Sequence, residues 1–449
     1  MTPNKLAVVV LAAGQGTRMK SDLPKVLHPV AGRAMLRHVL DAAQSLDPER
    51  IVVVVGPGAE AVQKAAAPHR IVVQEERLGT GHAVMCAAEA LADYAADENS
   101  DILVIYGDTP LLTGATLKRM LEERNQSRST KLVGLAFRPA DPAQYGRFVL
   151  NDAGVVDGIV EFADADEVVR KIDLCNAGPL IGEGKTLLEL VKGLSSDNAQ
   201  GEYYLTDLFA AARAGNMASR IVEAPADEVL GVNSRAELAI AESVMQGRLR
   251  AAAMAGGATL IAPETVWLSC DTVIGRDVVV EPNVIFGPGV TIDDNVQIRA
   301  FSHIEGARVE SGAVVGPYAR LRPGTELGRG VKIGNFVECK NVVFGEGAKA
   351  NHLSYVGDAT VGAKANIGAG TITCNYDGFK KSRTEIGAGA FIGSNSALVA
   401  PVSIGEGVIV AAGSTIVEDV PKDALVFGRG RQTAKPGRAA SIRDQQKKD

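Results

Sequence analysis

Leu6-Ala-Val-Val-Val-Leu-Ala-Ala-Gly-Gln-Gly-Thr-Arg-Met19, followed by Pro24-Lys25, decides the fold of the first half of this chain. The apolar run Leu6–Leu11 reads as a strand buried on both faces. It opens into a loop with glycines at 14 and 16, where backbone N–H groups can approach an anion with no Cβ in the way. The start of the next helix adds its positive dipole end. Arg18 and Lys25 then offer a polyphosphate two cations, one a planar fork and the other a mobile point charge. No third glycine completes a dinucleotide fingerprint, and Lys25 is not in a Gly-Lys-Ser/Thr context, so neither that motif nor a Walker loop is present.

Outward from this stretch, Ile51–Val55, Ile71–Val73, Ile102–Ile105 and Lys131–Ala136 are further apolar strands, with helices predicted over Ala83–Tyr94 and Ala115–Glu123 between them. The pattern predicts a three-layer, Rossmann-like α/β domain on a mainly parallel sheet, its ligand site at the strand C-termini. Tyr106-Gly107-Asp108 follows one such strand. Asp108 there suits either a Mg²⁺ ion shared with phosphates or a cap on the next turn.

From Ser234 to Ala255 an alanine-rich helix is predicted, ended by Gly256-Gly257. Beyond it the period becomes six. Aliphatic residues recur at Ile274, Val280, Phe286, Ile292, Ile298 and Ile304, at Val315, Leu321, Leu327 and Ile333, and at Ile386, Ile392, Leu398, Ile404, Val410 and Ile416. Six residues make one flat side of a coil, with the aliphatic side chain stacked inward and a small residue at the corner, so three sides build a parallel β-helix. The series breaks at Asn341–Val356 and Thr373–Thr384, which are read as loops where chemistry collects. The organisation expected is residues 1–232, a linker helix at 233–255, and a β-helix over 256–449 with a basic tail.

At 449 residues the chain exceeds one ordinary core, and a net charge of −6 without aromatic-basic interleaving excludes a nucleic-acid footprint. The five widely spaced cysteines lack a Cys-x-x-Cys pair, and Leu6–Ala13 is too short for a span, so a cytoplasmic protein with no membrane partner is expected.

The string Leu-x-x-Gly-x-Gly-Thr-Arg-Met-x4-Pro-Lys resembles the signature of the sugar-1-phosphate nucleotidyltransferases. That resemblance makes Asp108 a Mg²⁺ ligand, with Asn233 as the second. It implies nucleotide contacts along Leu11, Ala12, Ala13, Gly14, Lys25, Tyr106 and Gly107, and a pyrimidine-reading group at Gln74, Gly79 and Thr80. Gly146, Glu161 and Asn176 match contacts to an N-acetylated sugar, although Glu161 and Asn176 taken alone are bland. His82 reads as structural.

In the second half, Asn351-His352-Leu-Ser-Tyr355 and Thr371-Ile-Thr-Cys-Asn375-Tyr376-Asp-Gly378 closely resemble the acetyltransferase half of the bifunctional N-acetylglucosamine-1-phosphate uridylyltransferase/glucosamine-1-phosphate acetyltransferase family. The resemblance runs from Leu6 to about Arg431. It implies a left-handed coil and a homotrimer. His352 becomes the general base, whose ordinary pKa near 6.5 suits an ammonium nucleophile. Arg322 and Lys340 grip the sugar phosphate, Tyr355 and Asn366 orient the sugar, and Ala369, Asn375, Tyr376, Ser394, Ala412 and Arg429 line the acetyl-CoA site. Glu338 either orients His352 or forms a surface salt bridge.

One chain with two enzymes is therefore expected, acting on glucosamine-1-phosphate, acetyl-CoA, N-acetylglucosamine-1-phosphate and UTP. A single-activity nucleotidyltransferase on a structural prism would have no use for His352, Tyr355 or Asn375-Tyr376. A nucleotide-sugar sensor would be expected to lose some of Arg18, Lys25 and Asp108, all of which are present.

Overall fold

A computed structural model describes residues 4–97, 99–142, 144–198 and 200–447. The chain divides into two compact units, 1–247 and 248–449.

In the first unit a sheet is built on β1 (Lys5–Ala12), β2 (Arg50–Val55), β3 (Arg70–Val73), β4 (Ser100–Tyr106), β5 (Thr130–Phe137), β6 (Cys175–Glu183) and β7 (Ala218–Glu223). Its order is β7-β5-β6-β4-β1-β2-β3, with β1 parallel to both β2 and β4. The continuous apolar run of β1 has its physical reason here. Leu6, Val8, Val10 and Ala12 pack toward α1 (Met35–Gln44), while Ala7, Val9 and Leu11 pack toward α2 (Thr80–Ala87). Helix α3 (Gly114–Gln126) joins the first face, and α4 (Gly184–Lys192) and α5 (Asp207–Ala214) join the second. Each fully buried Val, Leu or Ile contributes about 1.5–3 kcal/mol to this double core.

The sheet is mainly parallel, as expected, with β6 running antiparallel to β4 and β5. Cys-Asn-Ala-Gly-Pro-Leu-Ile-Gly-Glu carries Gly178-Pro179 in its middle, which reads as a turn, and in the fold that pair sits in a bulge where the register shifts between Asn176 and Leu180. The segment Ala83–Tyr94 is not one helix: α2 ends at Ala87, a 3₁₀ turn covers Glu89–Leu91, and Ala92–Ala95 is a separate helical turn.

Helix α6 (Arg235–Ala255) crosses the division between the units, and Gly257, at φ 101°, follows its end. The second unit is a parallel coil of two- to seven-residue strands. One side runs through Val280, Ile298, Val315, Ile333, Ala350, Ile367, Ile392 and Val410, each opposite its copy on the next coil. The other sides stack Phe286, Ile304, Leu321, Cys339 and Val356, and Ile292, Val309, Leu327, Phe344 and Val361. All are buried in one core. This is the hexapeptide architecture of left-handed β-helices.

The first break in the six-residue series is not a loop. Glu338–Phe344 and Tyr355–Val361 are long strands that run through what is elsewhere a corner, with Lys349–His352 between them on another side. These coils are one residue short of eighteen, Ile333 lying opposite Ala350 and Ala350 opposite Ile367, so the apolar period slips without losing its inward face. The second break is an insertion: Ala359 pairs with Thr384, and the loop between Cys374 and Thr384 projects from the coil. The tail to Lys447 is almost wholly exposed and carries a helix, Arg438–Gln446, that the sequence reading missed; Lys448 lies outside the described residues.

Candidate active sites

In the first unit the chemistry gathers at the C-terminal ends of β1 and β4. Gly16 sits at φ 65°, and a Cβ there would fall 2.5 Å from Cβ of Lys25, so the glycine lets the loop close over the lysine stem. The Lys25 ammonium donates to Asp108 Oδ2 (2.5 Å) and to Asn233 Oδ1 (2.8 Å). Two oxygens thus converge on one positive charge. Asn233 is held by the start of α6: Glu237 Oε2 accepts from the Asn233 backbone N–H (2.7 Å) and from Ser234 Oγ (3.0 Å), while the Glu237 N–H donates to Ser234 Oγ (3.3 Å) as an N-cap. The Val232 N–H also donates to the Asp108 carbonyl (2.9 Å).

These residues border a cavity of about 310 Å³ lined by Leu11–Gly14, Lys25, Gln74, Gly79, Thr80 and Asp108. A second cavity of about 300 Å³, with Glu161 and Asn176 in its wall, shares Thr80 and Tyr106 with the first. Thr206 Oγ1 donates to Glu161 Oε1 (3.0 Å), and burial pushes the Glu161 carboxyl up against that donation. The Asn176 N–H donates to the Gly146 carbonyl (2.9 Å), which sets Gly146, itself not among the lining residues, directly behind that wall. Gly107 packs under the loop with its N–H on the Leu11 carbonyl (2.9 Å). Arg18 lies on the exposed 3₁₀ turn Thr17–Met19 and is not among the residues lining either cavity.

In the second unit one corner of the coil is a ladder. The N–H of Leu353 meets the Asn335 carbonyl, that of Gly370 the His352 carbonyl, that of Asn395 the Ala369 carbonyl and that of Gly413 the Ser394 carbonyl. Asn335, His352, Ala369 and Ser394 are therefore equivalent positions on successive coils, and Ala412 continues the row. His352 is exposed, and its Nδ1 stands 2.8 Å from Asn335 Oδ1. With Asn335 Oδ1 as the acceptor, the ring donates from Nδ1 and Nε2 is the nitrogen left to act as a base.

Glu338 does not orient His352. It pairs with Arg322 (2.9 Å), and the strand register explains why: Asn335 is the residue opposite His352, whereas Glu338 lies opposite Tyr355 on the next side. Beyond that pair, Lys381 stands beside Lys340 and pulls its ammonium down from the usual lysine range, with Arg322 adding to the effect. Burial opposes ionisation of Asp358, but donation from Asn341 and Asn375 and the two lysines outweigh it and hold the carboxyl low. Asn375 is buried by that contact, while the Tyr376 hydroxyl donates to the Gly378 carbonyl (2.6 Å) and its ring stays exposed. Tyr355 and Asn366 are half-buried, and Arg429 is exposed.

Comparison with known proteins follows the same two halves. Residues 8–172 match the MobA-like NTP transferase domain, and residues 271–306 and 383–418 match the bacterial transferase hexapeptide. The chain is 56% identical over 446 residues to the bifunctional protein GlmU of Paramagnetospirillum magneticum, covering 99% of this chain and 98% of that one. It is 57% identical over 439 residues to that of Rhodospirillum rubrum, covering 98% and 97%, and 56% identical to that of Azorhizobium caulinodans, covering 99% and 98%.

The chain belongs to the bifunctional GlmU family.

Within this GlmU fold two groups that the sequence reading passed over enter the sites. Arg77 lines the nucleotide-side cavity and its Nε donates to the Ala13 carbonyl (2.8 Å), pinning the glycine loop. The available signal was Gly56 at the end of β2, where a Cβ would meet the Arg77 guanidinium at 2.5 Å. Lys381 comes from the inserted loop, and its signal was the Lys380-Lys381 pair in the second break of the repeat. Among the described residues no helix is long and apolar enough to cross a membrane.

Proposed function

We propose that this GlmU-family chain acetylates glucosamine-1-phosphate from acetyl-CoA in its second unit and then, in its first, transfers UMP from UTP to N-acetylglucosamine-1-phosphate, releasing pyrophosphate. The observation that carries the bifunctional reading over a single-activity enzyme is the exposed His352, hydrogen-bonded through one ring nitrogen to Asn335 at a coil corner where a purely structural coil needs no imidazole.

For acetyl transfer, His352 Nε2 takes a proton from the 2-amino group as its nitrogen attacks the thioester carbonyl. The C–N bond forms, the C–S bond breaks, and the thiolate of CoA leaves and takes up the proton that His352 Nε2 received, which restores the base. Asn335 steadies the imidazolium through Nδ1–H. Arg322, Lys340 and Lys381 gather positive charge for the sugar phosphate, and Tyr355 and Asn366 orient the sugar. Ala369, Ser394 and Ala412, small residues in one row, leave room for the acetyl-CoA arm, with Asn375, Tyr376 and Arg429 around it. Glu338 acts on Arg322 and not as part of the base.

For uridylyl transfer the nucleophile is already anionic, so catalysis is positioning and charge neutralisation. The convergence of Asp108 and Asn233 on a single cation supports their reading as protein ligands of Mg²⁺, whose chemistry when bound is neutralisation of the phosphate oxygens. One carboxylate and one amide oxygen fit an ion that keeps waters and phosphates in its shell. Lys25 moves its charge between these oxygens and the triphosphate, Arg18 reaches the phosphates from the exposed turn, and the Gln74–Thr80 segment meets the base. Gly146, Glu161 and Asn176 meet the N-acetylated sugar. The catalytic portions are assigned to 1–232 and 256–449, joined by 233–255, in a cytoplasmic enzyme. Product analysis with glucosamine-1-phosphate, acetyl-CoA, UTP and Mg²⁺, omitting one component at a time, tests the reading. Formation of no N-acetylated product would leave only the transferase half.

We further propose a homotrimer held by the β-helix. Supporting this, Phe301, Tyr318 and Phe336 stack as an exposed ladder with centroids 4.9 and 5.2 Å apart, continued by the 63% exposed Leu353. A protein truncated to about residues 251–449 is expected to sediment as a trimer and keep acetyltransferase activity. A stable, fully active monomer would contradict it.

A further inference from the structure

Behind the base-facing wall of the nucleotide cavity, Gln74 is buried, 3% exposed, and is held by two contacts that both use its amide nitrogen. Nε2 stands 3.1 Å from the Gly79 carbonyl and 3.1 Å from His82 Nδ1. A backbone carbonyl only accepts, so the atom facing Gly79 must be the nitrogen, which fixes the sense of the amide independently of any ligand. With one of its protons on Gly79, the nitrogen gives the other to His82, and Nδ1 of His82 must accept. The imidazole proton is then on Nε2, which faces Cys86 Sγ at 3.9 Å, one helical turn further along α2. Burial raises the Cys86 thiol, so that neighbour stays uncharged. His82 itself is not among the residues lining the cavity, and its ring lies 6.1 Å from that of Tyr203.

We propose that His82 is a positioning residue for base selection: by accepting from Gln74 it commits both amide protons and leaves Oε1, an acceptor, as the group that reads the base. This rests on the reading of Gln74 as a base contact. An acceptor there pairs with a ring N–H flanked by carbonyls, the imide edge of a uracil-type base. It opposes cytosine, which presents a ring lone pair at the same place. Without His82 one amide proton is left uncommitted and the Gly79 carbonyl alone resists the turned-over amide, which would offer N–H to the base, so the discrimination weakens. The acceptor on His82 is thus a specificity element one layer removed from the ligand.

The test uses the full-length enzyme and steady-state uridylyl transfer with UTP and with CTP. His82→Phe, which keeps a ring but no acceptor, is expected to lower kcat/KM for UTP about tenfold through KM, with kcat at saturation little changed, and to lower the UTP-to-CTP ratio by a similar factor. His82→Gln, whose side-chain carbonyl can take the same proton, should hold that ratio within about threefold of wild type. In a Gln74→Ala background, His82→Phe should change nothing further. Turnover at saturating UTP checks folding, and His82→Leu repeats the measurement should the phenylalanine variant lose it. An unchanged UTP-to-CTP ratio in the acceptor-less variants, with Gln74→Ala collapsing it, overturns the role of His82 alone. An unchanged ratio in Gln74→Ala overturns the Gln74 reading and the proposal with it.

Discussion

Replacing His352 with alanine is expected to cut acetyl-transfer turnover by roughly 10²- to 10⁴-fold, the range for a positioned general base. The imidazole sits on an exposed corner with its Nδ1 proton committed to Asn335 and Nε2 available. Its removal leaves no cavity in the coil, so the thermal midpoint should move little. Acetyl-CoA affinity should change little as well, because the residues assigned to CoA are other members of the ladder. Uridylyl transfer from supplied N-acetylglucosamine-1-phosphate should be untouched. Turnover preserved at saturation, with only the apparent affinity for glucosamine-1-phosphate reduced, would show that His352 binds substrate and is not the base. Asn335→Ala offers a second reading of the same geometry. Freed of its acceptor, the ring can place its proton on Nε2, and a smaller loss in turnover is expected, of about tenfold.

The second large effect is expected at Asp108. Asp108→Asn should abolish uridylyl transfer while acetyl transfer stays near wild type, since the substitution removes the carboxylate that converges with Asn233 on the Lys25 charge. An amide keeps the size of the side chain but not its attraction for a divalent ion or for the Lys25 ammonium, so loss of activity should not reflect loss of packing. The two half-reactions are to be assayed on one preparation. Equal loss of both in a folded protein would sink the independence of the sites. Raising the Mg²⁺ concentration should restore little, because the variant lacks charge and not merely occupancy.

Much of this protein was legible from local pattern. A strand buried on both faces must be apolar at every position, and Leu6–Leu11 is; a hexapeptide coil must repeat an inward aliphatic residue every six positions, and Ile386 to Ile416 does without a miss. Asp108 after a strand and His352 amid aliphatic repeats stood out because their chemistry departs from what the local period needs. The alanine-rich stretch from Ser234 likewise marked the helix that follows Asn233.

Only the tertiary structure decided what depended on register and on long-range contact. Strand β6 was hidden because Gly178-Pro179 signals a turn locally, whereas pairing on both edges carries the strand through them as a bulge. The six-residue series breaks at Asn341–Val356 although the stack continues through its strands, because the coils there are one residue short of eighteen, a fact visible only once neighbouring coils are aligned. The same alignment sets His352 opposite Asn335, its hydrogen-bond partner, and Glu338 opposite Arg320, from where it reaches diagonally to Arg322 on the previous turn. Arg77, Lys381 and the His82–Gln74 contact belong to this second class: each joins the site through a backbone carbonyl, an inserted loop or a helical turn that no local period encodes. Periodic burial is written residue by residue, so sequence alone determined the two architectures, while the pairing of polar groups is a property of distances across the chain, which folding alone sets.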